Sequence, residues 1–377
     1  MLLPGLAIGF GRHGFGRHGL AVNHAITPSR SFIAVSDPTS TMSPKPNVRR
    51  TRRSDLLANL RAAAKAEAGN DAKIRAAVLQ EMRQSLTQGR DEARAQLEAK
   101  KFKGAKCAEF LSGLQDDLLC ALAEFVETDI LYLSNPTDAE KVTMVAVGGY
   151  GRGRMAPGSD IDLLFLLPYK RTAASESFVE YVLYMLWDMG LKVGHATRSI
   201  ADCVTQAQKD MTIRTSMLES RFLWGAPSLY ADFRETFIQK IMRGTASEFV
   251  TAKLDERDAR HERTGRSRYL VEPNLKESKG GLRDLNTLFW IARYSYQVEE
   301  LDALVELKVL TADELKLFRK CEAFLWQVRC HLHFNTGRAE ERLSFDVQKS
   351  LAEFFYPMKE AKEGAAGMKP VEKFMRR

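Results

Sequence analysis

The chain has 377 residues, of which 45% are hydrophobic and 28% charged, so we expect roughly two or three domains with apolar cores. No run of about 18 uninterrupted apolar residues occurs, which excludes a membrane-spanning helix from the prediction. The five cysteines are odd in number and lack CxxC spacing. This pattern argues against a disulfide scaffold and a zinc ribbon, and it predicts a cytoplasmic protein.

The net charge of +8 is concentrated at one end of the chain. Residues 1–53 carry eight Lys or Arg and one Asp, a charge of +7, which leaves +1 for the rest. This segment is rich in Gly, Ser, Pro and Thr, contains the tandem GFGRHGFGRHG and has no lasting hydrophobic period. We predict that residues 1–53 form a disordered basic tail, with an Arg-rich targeting peptide as the alternative. Because the folded part is nearly neutral, the charge does not favour nucleic-acid binding.

The sequence pattern of residues 54–135 predicts a helical region. Ser54 is predicted to be the N-cap of a first helix, and residues 71–99 form a long, charged, Ala-rich stretch. Over 106–133, apolar residues recur at steps of three and four, which predicts one buried helix face. The residues of this stripe are Leu111, Leu114, Leu118, Leu122 and Phe125.

The hydrophobic period changes in residues 136–225, which we predict to be a separate, mixed α/β domain. VTMVAV and DIDLLFLLP are short β-rich runs, followed by a helix at about 174–189 and a third strand in LKVGHATRSI. Beyond residue 200 we predict only helices, and 226–377 is assigned to a helical domain. Its late apolar stripe consists of Leu315, Phe318, Leu325, Val328 and Leu332.

The chemistry is concentrated in GGYGRGRMAPGSDIDLLFL. Asp160 and Asp162 open the second strand, and residues i and i+2 of a strand point to the same side with Cα atoms about 6.7 Å apart. Two carboxylates at the open end of a buried strand repel each other unless a cation joins them. Hard oxygen ligands of this kind suit Mg²⁺, and a pair of carboxylates can hold two ions about 3.5–4 Å apart.

The glycines before this pair complement it. A turn at Gly148 and Gly149 lets backbone N–H groups approach phosphate oxygens, and Arg152 and Arg154 add positive charge. Ser159 either donates to a phosphate oxygen or caps the turn. Neither a P-loop nor a dinucleotide fingerprint is present. The ordered combination of strand, GG, SDxD and apolar strand predicts nucleotidyl transfer.

This combination resembles the DNA polymerase β-type nucleotidyltransferase superfamily. The fuller string VGGYGRGRMAPGSDIDLLFL is similar to the bacterial PII uridylyltransferase/uridylyl-removing enzymes, the glnD products, as are VEPNLKESKGGLRDLNTLFW and RCHLHFNTGRAEERLSFDVQ. The resemblance covers residues 54–377. It implies an α+β fold in which a small mixed-sheet polymerase β-type nucleotidyltransferase domain is flanked by helical domains.

The resemblance also implies a reaction. UMP passes from UTP to a tyrosine of the nitrogen-signal protein PII, pyrophosphate is released, and Mg²⁺ is required. Asp160 and Asp162 match the family's metal-binding pair, and Gly148, Gly149 and Ser159 match its nucleotide-gripping turn. The implied partners are UTP and PII, with no membrane.

Two later segments each allow more than one interpretation. Gly280-Gly281 precede a helix whose N-terminus attracts anions, which makes Lys276, Lys279 and Arg283 candidates for binding the triphosphate or acidic groups of PII. The alternative is a capped helix with solvated lysines, and Asp284 either pairs with an Arg or assists at the site. In the third segment, Arg329, His331, Arg338 and Arg342 are interpreted as a buried polar network rather than ligands.

The third carboxylate of many polymerase β-type sites is not found at the expected place, which holds Gly194-His195. His195, a water, Asp188 or Asp202 remain open as its replacement, with His195 read first as an ordinary strand residue.

The length of the chain is a second departure from the pattern of the family that it resembles. The chain has no His-Asp dipeptide and ends at VEKFMRR, so we expect a truncated chain without the family's HD and ACT domains. Deuridylylation and glutamine sensing are then expected to be missing.

Three other functions are compatible with parts of the sequence. One is a related adenylyltransferase acting on glutamine synthetase, which a preference for ATP over UTP would reveal. Another is a catalytically inactive fragment that binds PII. The third is nucleic-acid binding through the basic tail, which predicts an affinity that falls steeply with salt.

Overall fold

The apolar stripes and β-rich runs of the sequence assemble into helices around one small sheet. The computed structural model describes residues 52–134, 137–264, 270–357 and 369–376. The predicted tail, apart from its last two residues, lies outside the described residues.

Helices account for most of the described chain. In chain order they are α1 (Arg53–Ala66), α2 (Asp71–Glu98), α3 (Gly104–Phe125), α4 (Gly148–Gly151), α5 (Ala173–Asp188), α6 (Ile200–Lys209), α7 (Met211–Leu218), α8 (Pro227–Phe237), α9 (Ala246–Arg263), α10 (Leu282–Tyr296), α11 (Asp302–Glu306), α12 (Ala312–Thr336), α13 (Phe345–Phe355) and α14 (Pro370–Met375). None of the described helices is both long and apolar enough to cross a membrane.

The sheet has four strands in the order β3-β2-β1-β4. They are β1 (Thr143–Ala146), β2 (Ile161–Leu167), β3 (Val193–Ser199) and β4 (Arg221–Trp224). β1 pairs antiparallel with both β2 and β4, whereas β2 and β3 are parallel and in register over seven residue pairs. The fold is therefore α+β with a mixed sheet, as expected.

The two faces of the sheet are buried against different helices. Leu163 and Phe165 of β2 belong to a core shared with α3 and α5. Leu164 and Leu166 point the other way, into a second core shared with α6, α7 and α8. Because β2 is buried on both faces from Leu163 onward, only its N-terminal end is open to solvent, which is where the two aspartates lie.

The prediction that the chain is entirely helical beyond residue 200 is wrong at β4. The run Arg-Phe-Leu-Trp is only four residues long and directly follows α7, so its local pattern does not separate it from a helix end. It becomes a strand because it pairs with β1, residues 143–146, which lie far away in the sequence. Tertiary pairing overrides local propensity here.

The predicted N-cap is also wrong. Helix α1 begins at Arg53, and Arg52 is its N-cap without a side-chain capping bond. Ser54 lies inside the first turn, where its Oγ donates to Asp55 Oδ1. By contrast, the predicted stripe of α3, from Leu111 to Phe125, is buried throughout.

Helices that precede the sheet in the sequence are in direct contact with helices that follow it. A Cβ on Gly104, the first residue of α3, would lie 1.9 Å from the backbone nitrogen of Gln327 in α12. Trp326 and Cys330 of α12 belong to the same core as α1, α2 and α3. This close approach requires glycine at position 104.

Candidate active site

Asp160 and Asp162 lie at the open end of β2, as their spacing predicts. Asp160 is exposed and Asp162 is half-buried. Two glycines border the Asp162 carboxylate: a Cβ on Gly148 would lie 3.1 Å from Oδ2, and a Cβ on Gly194 would lie 2.7 Å from Oδ1. The second distance is shorter than real Cβ contacts, so the carboxylate position depends on glycine in β3.

The electrostatics of this pair favour a bound cation. Burial, followed by the charge of Asp160, raises the pKa of Asp162 above its ordinary value. The ionised pair is therefore unfavourable without a positive charge beside it. Two adjacent hard-oxygen donors at a solvent-accessible strand end fit Mg²⁺, and Asp160 and Asp162 are the residues that would hold it.

The glycine turn forms a single helical turn, α4, directly after β1. Gly148 has a φ of +55°, in the region that favours glycine. Among the described residues, no acceptor receives the N–H of Gly148 or Gly149. Ser159 Oγ accepts the N–H of Ala156 at 2.9 Å, so its side chain caps the turn, one of the two roles left open above.

Arg152 is held by a buried glutamate that the sequence interpretation missed. Its Nη1 donates to Glu219 Oε1 at 2.5 Å, and the Glu219 side chain is only 2% exposed. The same oxygen accepts the indole N–H of Trp290 in α10 at 2.5 Å. Glu219 therefore links the glycine turn to the helical segment that follows the sheet. By contrast, Arg154 pairs with Glu109 and Glu322.

The segment before α10 brings two of its three predicted basic residues to the site. Lys276 and Arg283 line the same cleft as Asp160 and Asp162, whereas Lys279 is exposed outside it. Burial, followed by the charge of Arg283, lowers the pKa of Lys276. A desolvated, positively surrounded lysine is a suitable partner for a polyanion.

The backbone at the start of α10 does not provide the anion site suggested by the sequence. The N–H groups of Leu282 and Arg283 donate to the carbonyls of Leu275 and Lys276, at 2.9 Å each. The Gly280 N–H donates to the Asp284 carboxylate at 2.7 Å. The helix is thus capped by its own loop, and only the side chains of this segment are available to a ligand.

The Asp284 side chain is held by two basic residues of α9. Its carboxylate pairs with Arg260 of α9 and lies 2.9 Å from Nε2 of His261. Of the two roles considered for it, pairing with an Arg is the one that the structure contains.

The third segment contributes a buried ion pair that lines the cleft. Arg329 donates to Glu341 at 2.5 Å, and His333 Nε2 lies 3.5 Å from the same carboxylate. Burial alone would raise the pKa of Glu341, but the neighbouring His333 and the charge of Arg329 lower it to about 2. His331 lies elsewhere, with its ring 4.0 Å from that of Phe354. The interpretation as a buried polar network thus describes Arg329, which also lines the cleft. It is wrong for Arg338 and Arg342, whose side chains are exposed.

The cleft has a volume of about 750 Å³ and receives basic side chains from several elements. Three of them come from α9, Lys253, Arg260 and Arg263, and were missed from the sequence. Lys253 is 3% exposed, donates to Glu256 at 2.6 Å and lies 5.2 Å above the Trp290 ring. In the sequence, Lys253 is a basic residue within the apolar stripe of a charged helix. A lysine in such a helix usually lies on the solvated face, so its burial was not predicted.

None of the open candidates for a third acid lies beside the pair. Asp188 pairs with Arg75 of α2, and Asp202 accepts the Ser199 N–H at the start of α6. His195 is among the residues that line the cleft, but it pairs with Leu163 rather than with Asp162, and its ring meets that of Trp187 at 5.9 Å. Within the described ranges, no group of three or more His, Cys, Asp or Glu side chains is arranged to hold a metal ion.

Comparisons with known proteins agree with this geometry. Residues 132–222 match the model of the nucleotidyltransferase domain, and residues 248–377 match that of the GlnD PII-uridylyltransferase. The curated protein named bifunctional uridylyltransferase/uridylyl-removing enzyme in Rhodopseudomonas palustris is 51% identical over 322 residues, 85% of this chain. The chain belongs to the GlnD nucleotidyltransferase family.

Two further members of the GlnD family show the same relationship. Proteins of the same name in Azospirillum brasilense and Bradyrhizobium diazoefficiens are 51% and 50% identical over 82% and 85% of this chain. The chain spans about a third of the length of these curated relatives, 34%, 33% and 34% of their sequences respectively.

Proposed function

We propose that this chain transfers UMP from UTP to a tyrosine hydroxyl of the PII protein and releases pyrophosphate. The proposal rests on one observation: two carboxylates of the nucleotidyltransferase domain and a group of basic side chains line the same cleft. The names of the relatives supply the nucleotide and the acceptor. We place the enzyme in the cytoplasm because its cysteines are odd in number and lack CxxC spacing, a pattern typical of a reducing compartment.

In this reaction the tyrosine oxygen attacks the α-phosphorus of UTP. The new bond joins the tyrosine oxygen to phosphorus, the bond between the α-phosphorus and the oxygen bridging to the β-phosphate breaks, and pyrophosphate carries away the electron pair. The hydroxyl proton is lost to water at the open end of the cleft. When bound at Asp160 and Asp162, Mg²⁺ supplies charge neutralisation for the phosphates and lowers the pKa of the attacking hydroxyl.

The side chains of the chain bind and orient the triphosphate. Arg152 is held in place by Glu219, so its guanidinium is pre-organised rather than free to rotate. Lys276, Arg283 and Lys253 add positive charge from the helical segment after the sheet. The small residues of the glycine turn leave room for phosphate oxygens near N–H groups that have no acceptor among the described residues.

The test is transfer of labelled UMP from UTP to purified PII in the presence of Mg²⁺. We expect label on PII with the unchanged chain and none with the Asp160→Ala/Asp162→Ala variant. A matched control, Asp188→Ala, removes an exposed carboxylate outside the cleft and should retain transfer. Equal labelling by the double variant would contradict the proposed site.

A nucleotide panel separates this proposal from its alternatives. Transfer from ATP to glutamine synthetase in preference to transfer from UTP to PII would indicate the adenylyltransferase reaction. Binding of PII without pyrophosphate release would indicate an inactive binding fragment.

A further inference from the structure

The strand next to the aspartates is an edge of the sheet. β3 pairs with β2 on one side, and no described strand pairs with its other side. The Ile161 N–H donates to the Lys192 carbonyl at 2.9 Å, so the even-numbered residues of this segment direct their backbone groups to β2. The odd-numbered residues direct theirs outward, and those of Val193 and His195 have no hydrogen-bond partner among the described residues.

This edge lacks the features that usually prevent pairing with another chain. β3 contains no Pro or Lys, and its seven-residue register with β2 has no bulge. The opposite edge strand, β4, has four residues and an irregular register with β1. At the C-terminal end of β3, Arg171 donates to the outward Thr197 carbonyl at 3.3 Å, so the open part is centred on His195.

The two faces beside this edge differ in character. On the aspartate side, Gly194 lies opposite Asp162 and presents no side chain. On the other side, His195 meets the ring of Trp187, which in turn meets Tyr184 at 5.5 Å. Trp187 and Tyr184 are 44% and 49% exposed, although large aromatic side chains are usually more buried.

Basic residues predominate around the edge. Lys192 precedes β3, while Arg198 and Arg171 lie at its C-terminal end. Within the described part of the chain, none of the three makes a close ion pair, although Asp202 interacts with Arg171 and Arg198 at longer range. The edge is therefore complementary to a segment that carries acidic residues.

We propose that the acceptor protein binds by adding an extended, acidic segment to the free edge of β3, with its target tyrosine opposite Gly194. This inference rests on the proposed function for the identity of the acceptor. Backbone groups of Val193 and His195 pair with the added strand, which is a known mode of peptide recognition. Alternate side chains of the segment then contact the Trp187 aromatic surface and the aspartate side.

The geometry accounts for a tyrosine acceptor. Neighbouring strands are about 4.8 Å apart, so a residue on the added strand lies two strand spacings, roughly 10 Å, from Asp162. A tyrosine side chain leaving that position passes over Gly194, where no side chain is in the way. The hydroxyl of a serine or threonine, one bond beyond Cβ, would stop short of the carboxylates.

The test compares two substitutions of one residue. His195→Pro removes an outward N–H and leaves the ladder with β2 intact, whereas His195→Ala keeps the N–H. We expect His195→Pro to raise KM for PII about tenfold relative to His195→Ala, with KM for UTP unchanged. Trp187→Ala is expected to raise KM for PII in the same way. Equal melting temperatures of the variants serve as the folding control.

Binding of PII to each variant, measured in the presence of Mg²⁺ and UTP, distinguishes the possible failures. Normal transfer with equal KM for PII in both His195 variants would overturn the edge proposal and leave the proposed function intact. PII binding without transfer, weakened by His195→Pro, would support the edge and reject the transferase activity. A chain that neither binds nor modifies PII would overturn both proposals.

Discussion

Gly194 of β3 lies directly opposite Asp162 of β2, and a Cβ on Gly194 would come 2.7 Å from Asp162 Oδ1. Gly194 occupies the place where a third carboxylate is expected. Sterics explain why this residue is a glycine, because the Asp162 carboxylate fills the space that a side chain would need. A strand neighbour that carried any side chain would displace the carboxylate or be displaced by it.

The first prediction concerns this contact. Gly194→Ala should lower kcat for UMP transfer about 100-fold, because displacing a catalytic group by an ångström has effects of this size. Thr197→Ala, three residues along the strand and on the opposite face, is the matched control and should keep kcat near that of the unchanged chain. Transfer at an unchanged rate by Gly194→Ala would show that the carboxylate position is not critical.

The second prediction separates stability from activity at Asp162. Because burial and Asp160 raise its pKa, the ionised carboxylate destabilises the cation-free fold, and Asp162→Asn should raise the melting temperature measured in EDTA. The same variant should lose UMP transfer. Added Mg²⁺ should raise the melting temperature of the unchanged chain but not that of the variant.

The pH dependence of this effect has a definite sign. With a folded pKa above the unfolded value of 3.8, the folded state binds more protons in the window between the two values. The destabilisation caused by Asp162 should therefore be relieved as pH falls through the raised pKa. A stability difference between the unchanged chain and Asp162→Asn that grows on acidification would contradict this assignment.

The third prediction concerns the buried pair of Arg152 and Glu219. Glu219→Ala leaves the Arg152 charge and the Trp290 N–H without their partner, so the free energy of unfolding should fall by about 3 kcal/mol. The control is Glu98→Ala, which breaks an exposed pair with Arg94 and should cost at most about 0.5 kcal/mol. Urea unfolding measures both, and similar losses would mean that Glu219 is not structurally important.

The fourth prediction uses His331, which plays no part in the proposed reaction. Burial lowers its pKa from 6.5 to about 4, so the unfolded state binds more protons between these two values. The free energy of unfolding should fall as pH decreases from 6.5 to 4, by at most about 3 kcal/mol. His331→Leu should weaken this acid dependence, and a slope unaffected by the substitution would contradict the explanation.

Local patterns predicted the elements that carry the aspartates. VTMVAV, DIDLLFLLP and LKVGHATRSI contain β1, β2 and β3. The apolar run from Leu163 onward predicted that Asp160 and Asp162 lie at the open end of β2, and they do. β4 was missed because four residues after a helix carry too little local information, and only pairing with β1 makes them a strand.

The residues missed at the cleft share one property. Glu219 and Lys253 come from elements far from the GG…SDxD segment in sequence, and their positions depend on how α7 and α9 pack around the sheet. A glutamate at a helix end and a lysine in a charged helix look like surface residues in a sequence. Their burial, 2% and 3% exposed, is a tertiary property.

The contact between Gly104 and the backbone of α12 has a consequence for how the chain can be divided. Helices that precede and follow the catalytic sheet share a single core, so neither has a complete apolar interior without the other. We expect the segments on both sides of the sheet to unfold in one cooperative transition rather than as independent modules. In the order of the chain, the sheet then lies between two halves of one helical body, and a cut at either border of the sheet would separate these halves.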